Sequence, residues 1–185
     1  MKLISRVTAC TVLLGVGICS AASTTLSAQA GSSTSVKEDL LKDWQEQKKA
    51  MMEIADAMPV DKFDYKATPA ERNYGEQVLH VAQVNMFLLK TLNGKATAPT
   101  FDPKAAKTKE EMIKDLEASY DYGTDLLKEQ TESGILETIN GPKFLGPSSR
   151  ARIFWFLMGH SMDIYGQMAV YLRLNGIVPP ASRKP

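Results

Sequence analysis

The sequence predicts an all-α protein folded as a four-helix bundle. Two observations support this. Four long segments carry apolar residues at the three- and four-residue spacing of an amphipathic helix, and residues that start or stop helices bound each segment. No alternation of apolar and polar residues typical of a strand is evident between them. Because helices of this length can bury their apolar faces against one another, we expect a single bundle.

The first two predicted helices are separated by a connection with turn chemistry. The first covers about residues 35–58 and ends before Pro59. The second covers about residues 70–92 and ends at an Asn-Gly pair, which favours helix termination. Thr68 is its expected cap and Pro69 its expected first-turn residue, because proline lacks only a donor that the first turn does not use.

The last two predicted helices also begin at hydroxyl side chains. The third starts at Thr108, whose spacing to Glu111 fits a capping box. The fourth starts at Ser148 or Ser149 and ends at a second Asn-Gly pair. The glycine- and proline-rich stretch 134–149 between them is expected to be irregular and to cover one end of the bundle.

The first thirty residues predict a cleaved secretory signal peptide. Lys2 and Arg6 form a basic start, an apolar run covers residues 7–18, and a small-residue A-x-A sequence ends at Ala30. The apolar run is shorter than the roughly 20 residues of a membrane span. We therefore expect cleavage after Ala30 and export to the bacterial periplasm or medium. The mature domain, residues 31–185, is expected not to contact a membrane.

Two other cleavage points are less favourable. One follows Ala22, and the other is a lipoprotein cut before Cys19, where Ile18 is bulky for the preceding position. Both cysteines, Cys10 and Cys19, lie in the segment that cleavage after Ala30 removes. The mature protein is then expected to have no disulfide, no cysteine nucleophile and no cysteine-ligated zinc.

The charge of the chain is nearly balanced. It has 22 basic and 21 acidic side chains, and loss of Lys2 and Arg6 with the signal peptide changes the formal charge from +1 to −1. Proteins that bind nucleic acid usually carry a basic surface, and attraction to anionic membranes also requires excess positive charge. We therefore expect neither nucleic acid nor a membrane as a partner.

The chain contains two histidines, His80 on the second predicted helix and His160 on the fourth. Each is mid-helix on an apolar face, and each has a carboxylate close by: Glu76 precedes His80 by one turn, and Asp163 follows His160 by three residues. In one interpretation, both are core histidines paired with these acids. In the other, they belong to a divalent-metal site of nitrogen and oxygen ligands built from facing helices.

Two stretches together resemble the DinB-like family of four-helix-bundle proteins. They are TPAERNYGEQVLHVAQVNMFLL, residues 68–89, and GHSMDIYGQMAVYLRLNGIVPP, residues 159–180. The family includes the thiol-dependent transferases of bacillithiol and mycothiol chemistry. The resemblance extends from about Val36 onward in helix order and loop placement. It implies the same bundle, and it also implies homodimerisation through the long helices.

The resemblance further implies a divalent-metal site, occupied by zinc or nickel and held by three histidines. His80 and His160 match two of these positions, whereas the third falls on Ile164, which cannot bind a metal. Asp163 is the candidate replacement ligand. The expected function is then that of a metal-dependent hydrolase or thiol transferase acting on an unidentified small molecule. The alternative is a metal-free pseudo-enzyme or binding module that keeps only the fold.

Overall fold

The computed structural model of this protein describes residues 35–184. The predicted signal peptide, residues 1–30, lies outside the described residues. The described chain consists of the following elements, in order: α1 (Val36–Ala57), α2 (Tyr74–Leu89), α3 (Lys109–Lys128), α4 (Glu132–Leu136), β1 (Thr138–Asn140), β2 (Pro147–Ser149) and α5 (Arg150–Leu174), with short 3-10 turns at Val60–Lys62, Lys90–Leu92 and Pro180–Ser182. None of these helices is both long and apolar enough to cross a membrane.

The four long helices form a bundle, which confirms the predicted fold class. α1 packs against α3 and α5, and α2 packs against the same two helices. α1 and α2 therefore lie at opposite corners. α2 and α5 run antiparallel, so that successive positions along one helix meet successively earlier positions along the other.

Trp44 of α1 is the centre of an aromatic cluster in the core. Its ring is fully buried, 4.7 Å from the Tyr120 ring and 5.3 Å from the Phe154 ring, measured between centroids. The indole N–H donates to the backbone carbonyl of Tyr120 at 2.9 Å, so the one polar atom of the side chain is satisfied. Gly123, one turn further along α3, leaves the space that the indole occupies.

Three of the four long helices begin where the sequence predicts. The side chain of Ser35 caps α1, and Ser149 caps α5 by accepting a hydrogen bond from the third residue after it. Thr108 and Glu111 form the predicted capping box at the start of α3, each side chain accepting from the other residue's backbone N–H. These caps satisfy amides that have no partner within the helix.

The predicted start of α2 is wrong by one turn. The helix begins at Tyr74, not near residue 70, and the cap is Asn73, which forms a capping box with Glu76. Thr68 and Pro69 lie in the preceding loop, which folds back onto the helix start. The amide of Gly75 donates to the carbonyl of Phe63 at 3.0 Å. This loop contact and the capping box together fix the helix start later in the chain.

The segment predicted to be irregular contains short regular elements instead. α4 is followed by an antiparallel hairpin in which Ile139 of β1 faces Ser148 of β2. Three-residue strands are too short to show an alternating pattern, which is why the sequence does not reveal them. Arg150 anchors the segment: its Nη1 donates to the Gly134 carbonyl at 2.9 Å and to the Glu137 carboxylate at 2.8 Å.

We expect Gly123→Ala to destabilise the protein by about 1–3 kcal/mol, as overpacked cores do. The added Cβ would lie 2.4 Å from the Trp44 ring, so the indole would have to move away from its hydrogen-bond acceptor. Gly166→Ala is the matched control, because its Cβ meets no atom within 4 Å. That change should stabilise α5 by about 0.5–1 kcal/mol. Urea unfolding of both variants measures the difference, and equal stabilities would contradict the packing account.

Candidate functional site

The two histidines meet across the contact between α2 and α5. The Nε2 atoms of His80 and His160 are 3.2 Å apart, and the ring centroids are 5.0 Å apart with the ring planes at 64°. Both side chains are partly buried. The sequence therefore correctly singled out the two histidines as a pair that the bundle brings together.

The antiparallel packing of α2 against α5 produces this meeting. One turn before His80, Gln77 donates from Nε2 to Oε1 of Gln167 at 2.9 Å. Further along the same contact, the Tyr171 hydroxyl donates to the backbone carbonyl of Arg72 at 2.9 Å. As the α2 position moves toward the start of its helix, the α5 position moves toward the end. We call this line of polar contacts the α2/α5 seam.

Both imidazoles are held in the neutral form at neutral pH. Burial lowers the pKa of His80 to about 4, and the positive charges of Arg72 and of a protonated His160 act in the same direction. Burial also lowers the pKa of His160, although the Asp163 carboxylate opposes this and Arg72 adds to it. In a neutral pair, one Nε2 donates a proton and the other accepts it. Neutral imidazole is also the form that binds metals.

Asp163 does not join the two histidines. Its side chain is exposed and accepts a hydrogen bond from Nε2 of Gln167 at 3.1 Å. Within residues 35–184, no three His, Cys, Asp or Glu side chains are grouped closely enough to hold a metal ion. The ligand set of His80, His160 and Asp163 therefore stays a prediction, with two of its members in contact and the third bonded to an amide.

Ile164 occupies the position where the family resemblance implies a third histidine. The side chain is 2% exposed and belongs to the hydrophobic core of the bundle. An aliphatic side chain cannot donate an electron pair to a metal. Any third protein ligand must therefore come from another position.

The spacing of the two imidazoles fits two ligands of one metal ion. Tetrahedral zinc with Zn–N bonds of ordinary length holds two ligand nitrogens about 3.3 Å apart. The observed separation of the Nε2 atoms is 3.2 Å. Two of the donors of a zinc or nickel site are thus suitably placed, and both rings are neutral; binding through both Nε2 atoms requires that each ring carry its proton on Nδ1.

Two features of the site are not evident from the sequence. Gln77 is fully buried at the α2/α5 seam, and its Oε1 has no hydrogen-bond partner among the described residues. Arg72 lies in the loop before α2 and acts on both histidines through its charge. Gln77 and His80 are three residues apart and so lie on one helix face. This spacing is the sequence signal that could have placed Gln77 beside the histidine pair. Glu76, expected to pair with His80, instead caps α2 together with Asn73.

A sequence profile of the DinB family matches residues 31–184. This chain belongs to the DinB family. The match spans the whole described part of the chain and confirms the family resemblance indicated by residues 68–89 and 159–180.

Two solved structures of DinB-like proteins have a similar fold. The one from Bacillus cereus is 16% identical with a TM-score of 0.67, over 77% of this chain and 95% of that chain. The one from Bacillus subtilis is 14% identical with a TM-score of 0.59, over 79% of this chain and 99% of that chain. At such identities the likeness shows the DinB fold alone. No curated protein matches this DinB-family chain significantly.

We expect the stability of the metal-free protein to fall as the pH is lowered from about 6.5 to about 4. The pKa of His80 is lowered from 6.5 to about 4 in the folded state, so the unfolded chain binds the extra proton first. Urea unfolding at several pH values in the presence of a chelator measures this. In His80→Gln the slope should be shallower over the same range. An unchanged slope in the variant would show that His80 does not carry the effect.

Proposed function

We propose that this protein is an exported DinB-family domain that binds a divalent metal ion between His80 and His160. The supporting observation is the 3.2 Å separation of the two Nε2 atoms across the α2/α5 seam. Imidazole nitrogen favours zinc, nickel, copper and iron over magnesium or calcium. Zinc and nickel are therefore the ions to test first.

The low pKa of His80 supports metal binding at neutral pH. A histidine must be deprotonated at the ligating nitrogen, so a proton competes with the metal wherever the ordinary pKa applies. Burial has already lowered the pKa of both rings. Metal binding then needs no proton release from these two side chains near pH 7.

The proposed metal would leave coordination positions open to water or to a small molecule. An ion in that setting supplies Lewis-acid chemistry, activating water for hydrolysis or a thiol for transfer. The two reaction classes that we propose are accordingly those of a metal-dependent hydrolase and of a thiol transferase. Hydrolysis is the better fit to an exported protein, because low-molecular-weight thiols are scarce in oxidising compartments.

A metal-free binding module is the second candidate function, and two observations favour it. Nδ1 of His160 is buried and has no hydrogen-bond partner among the described residues. Histidines that bind metals almost always donate from the other ring nitrogen to a carboxylate, carbonyl or water, which orients the ring. Ile164 also fills the family's third ligand position with apolar bulk. In this second function, the bundle would bind a small apolar or amphipathic molecule.

Titration calorimetry with zinc and with nickel separates the two functions. For protein purified without a histidine tag, we expect one metal per chain, and we expect His80→Ala to abolish binding. Ile164→His should tighten zinc binding by about tenfold or more, because it restores a third imidazole. Wild-type protein that binds neither metal, together with an Ile164→His variant that binds zinc, would overturn metal binding and support the metal-free module.

Export has its own test. Expression of the full chain in a bacterial host, followed by fractionation and amino-terminal sequencing, should give periplasmic or secreted protein that begins at Gly31. Replacing both Lys2 and Arg6 with glutamate removes the basic start and should leave the chain uncleaved in the cytoplasm. Intact chain that keeps its first thirty residues in the wild-type experiment would contradict export.

A further inference from the structure

One side of α5 is apolar and open to solvent. Four large apolar side chains of this helix are each at least half exposed: Trp155, Met162, Val170 and Leu174. At about 100° per residue, their positions fall within about 120° of one another around the helix axis. Gly159 and Gly166 lie on the same side, and a Cβ added at either would meet no atom within 4 Å. This side of α5 therefore has no packing partner among residues 35–184.

The loop between β1 and β2 extends the apolar surface at the start of α5. Phe144 is 63% exposed, and its ring centroid is 5.7 Å from that of Phe156, which is also exposed. Arg152 fixes this loop against the helix, because its Nη1 donates to the Leu145 carbonyl at 2.9 Å and to the Ser148 hydroxyl at 2.7 Å. We call Phe144, Phe156 and the four exposed side chains of α5 the α5 surface. Contiguous exposed apolar surfaces, unlike single exposed residues, mark interaction sites.

Positive charge is concentrated in the part of the chain that forms the α5 surface. Residues 138–184 carry six basic side chains and one acidic side chain, whereas residues 35–137 carry 14 basic and 20 acidic side chains. Among the described residues, Arg150 is the only one of the six that forms an ion pair, with Glu137 at 2.8 Å. The nearly balanced charge of the whole chain conceals this uneven distribution. Attraction to a charged surface depends on the charges within about 10 Å of it, the Debye length in dilute salt.

The cations lie at both ends of the apolar side of α5. Lys143 and Arg152 are exposed near its start, and Arg173, Arg183 and Lys184 are exposed at or beyond its end. The one acidic side chain, Asp163, lies midway along the helix. An apolar helix face with tryptophan, accompanied by lysine and arginine, is typical of helices that lie in the plane of a membrane interface. Tryptophan is also enriched at the level of the lipid headgroups.

A second copy of this chain fits the α5 surface less well than a lipid surface does. Two antiparallel α5 helices related by a two-fold axis near Met162 would place Trp155 of one copy opposite Val170 of the other. The same arrangement would place Arg152 opposite Arg173, and Asp163 beside its own counterpart. Contacts between like charges oppose such a pairing. Nucleic acid would attract the cations, but its interfaces are polar and would not bury the aliphatic side chains.

We propose that the α5 surface docks the protein onto a membrane that contains anionic phospholipids, with α5 parallel to the bilayer plane. Phe144 and Trp155 enter the headgroup region, where burial of their rings contributes affinity, and Lys143 and Arg152 attract the lipid phosphates. The expectation that no membrane is a partner considered only the total charge, whereas the local charge here is positive. Docking does not depend on the proposed metal. His160 follows Phe156 by one helical turn, so the candidate site would lie near the membrane.

Binding to lipid vesicles tests the proposal, and the two tryptophans provide a direct readout. Trp44 is fully buried whereas Trp155 is 52% exposed, so a blue shift of the fluorescence on adding vesicles reports Trp155. We expect this shift, and co-sedimentation, with phosphatidylcholine vesicles that contain phosphatidylglycerol. Pure phosphatidylcholine vesicles should bind far more weakly, and added salt should weaken binding to the anionic vesicles. Trp155→Phe should abolish the shift.

Lys143→Ser tests the role of the cations, with Lys104→Ser as its matched control. Both are exposed loop lysines, but Lys104 lies in the loop before α3, outside residues 138–184. Loss of one cation beside an anionic membrane should weaken binding by about fivefold, whereas Lys104→Ser should change it by less than about twofold. Phe144→Ser should weaken binding by about tenfold or more, because it removes a buried aromatic ring. Thermal unfolding shows whether each variant remains folded.

Four outcomes would overturn the proposal. The first is that neither kind of vesicle binds at low salt, and the second is that Lys143→Ser and Lys104→Ser have equal effects. The third is a dimer, in protein that binds no vesicles, that dissociates in Trp155→Ser; this would assign the α5 surface to a second copy. The fourth is binding of duplex DNA without binding of vesicles, which would assign the surface to nucleic acid.

Discussion

The antiparallel packing of α2 against α5 is the constraint on which the candidate site depends. It brings two helices that are far apart in the sequence into one register, with His80 opposite His160 and Gln77 opposite Gln167. Polar groups at this depth are costly unless they are paired. The cost is reduced at the α2/α5 seam because the histidine pair, the glutamine pair and the Tyr171 hydroxyl all have partners across it. A shift of one helix by a single turn would separate both pairs and leave several polar atoms unsatisfied.

Contacts elsewhere in the bundle hold α2 and α5 in this register. α1 and α3 contribute the cluster around Trp44, whose hydrogen bond and ring contacts join three helices. The loop before α2 fixes the start of that helix through Gly75 and Phe63. The histidines themselves lie on rigid helices and not on loops. The helical scaffold therefore holds their ligating atoms at a defined separation.

Much of the fold and the central pair of the site could be predicted from the sequence. Helical periodicity and the Thr108 capping box are local signals, and they correctly located the long helices. The start of α2 was misplaced because Thr68 and Pro69 have the residue types of a helix start, whereas the contact of Gly75 with Phe63 is not a local feature of the sequence. Gln77 was missed for a similar reason. The orientation of its amide depends on contacts with Gln167 and, through it, Asp163, and both residues lie on another helix.

Ile164 stands where the family resemblance implies a third histidine, and it adds buried apolar area instead. The nearby carboxylate of Asp163 does not replace that donor, since it is exposed and bonded to Gln167. What remains are two neutral imidazoles, and imidazole nitrogen is a ligand suited to first-row divalent ions.

The most direct test of the account is a proton–nitrogen NMR spectrum of the imidazole nitrogens, recorded before and after zinc is added. The account predicts two neutral rings at pH 7 without metal. It predicts that one equivalent of zinc shifts the Nε2 signals of both His80 and His160. If either Nε2 signal is unchanged at saturating zinc, the two histidines do not hold one metal between them, and the central claim is contradicted.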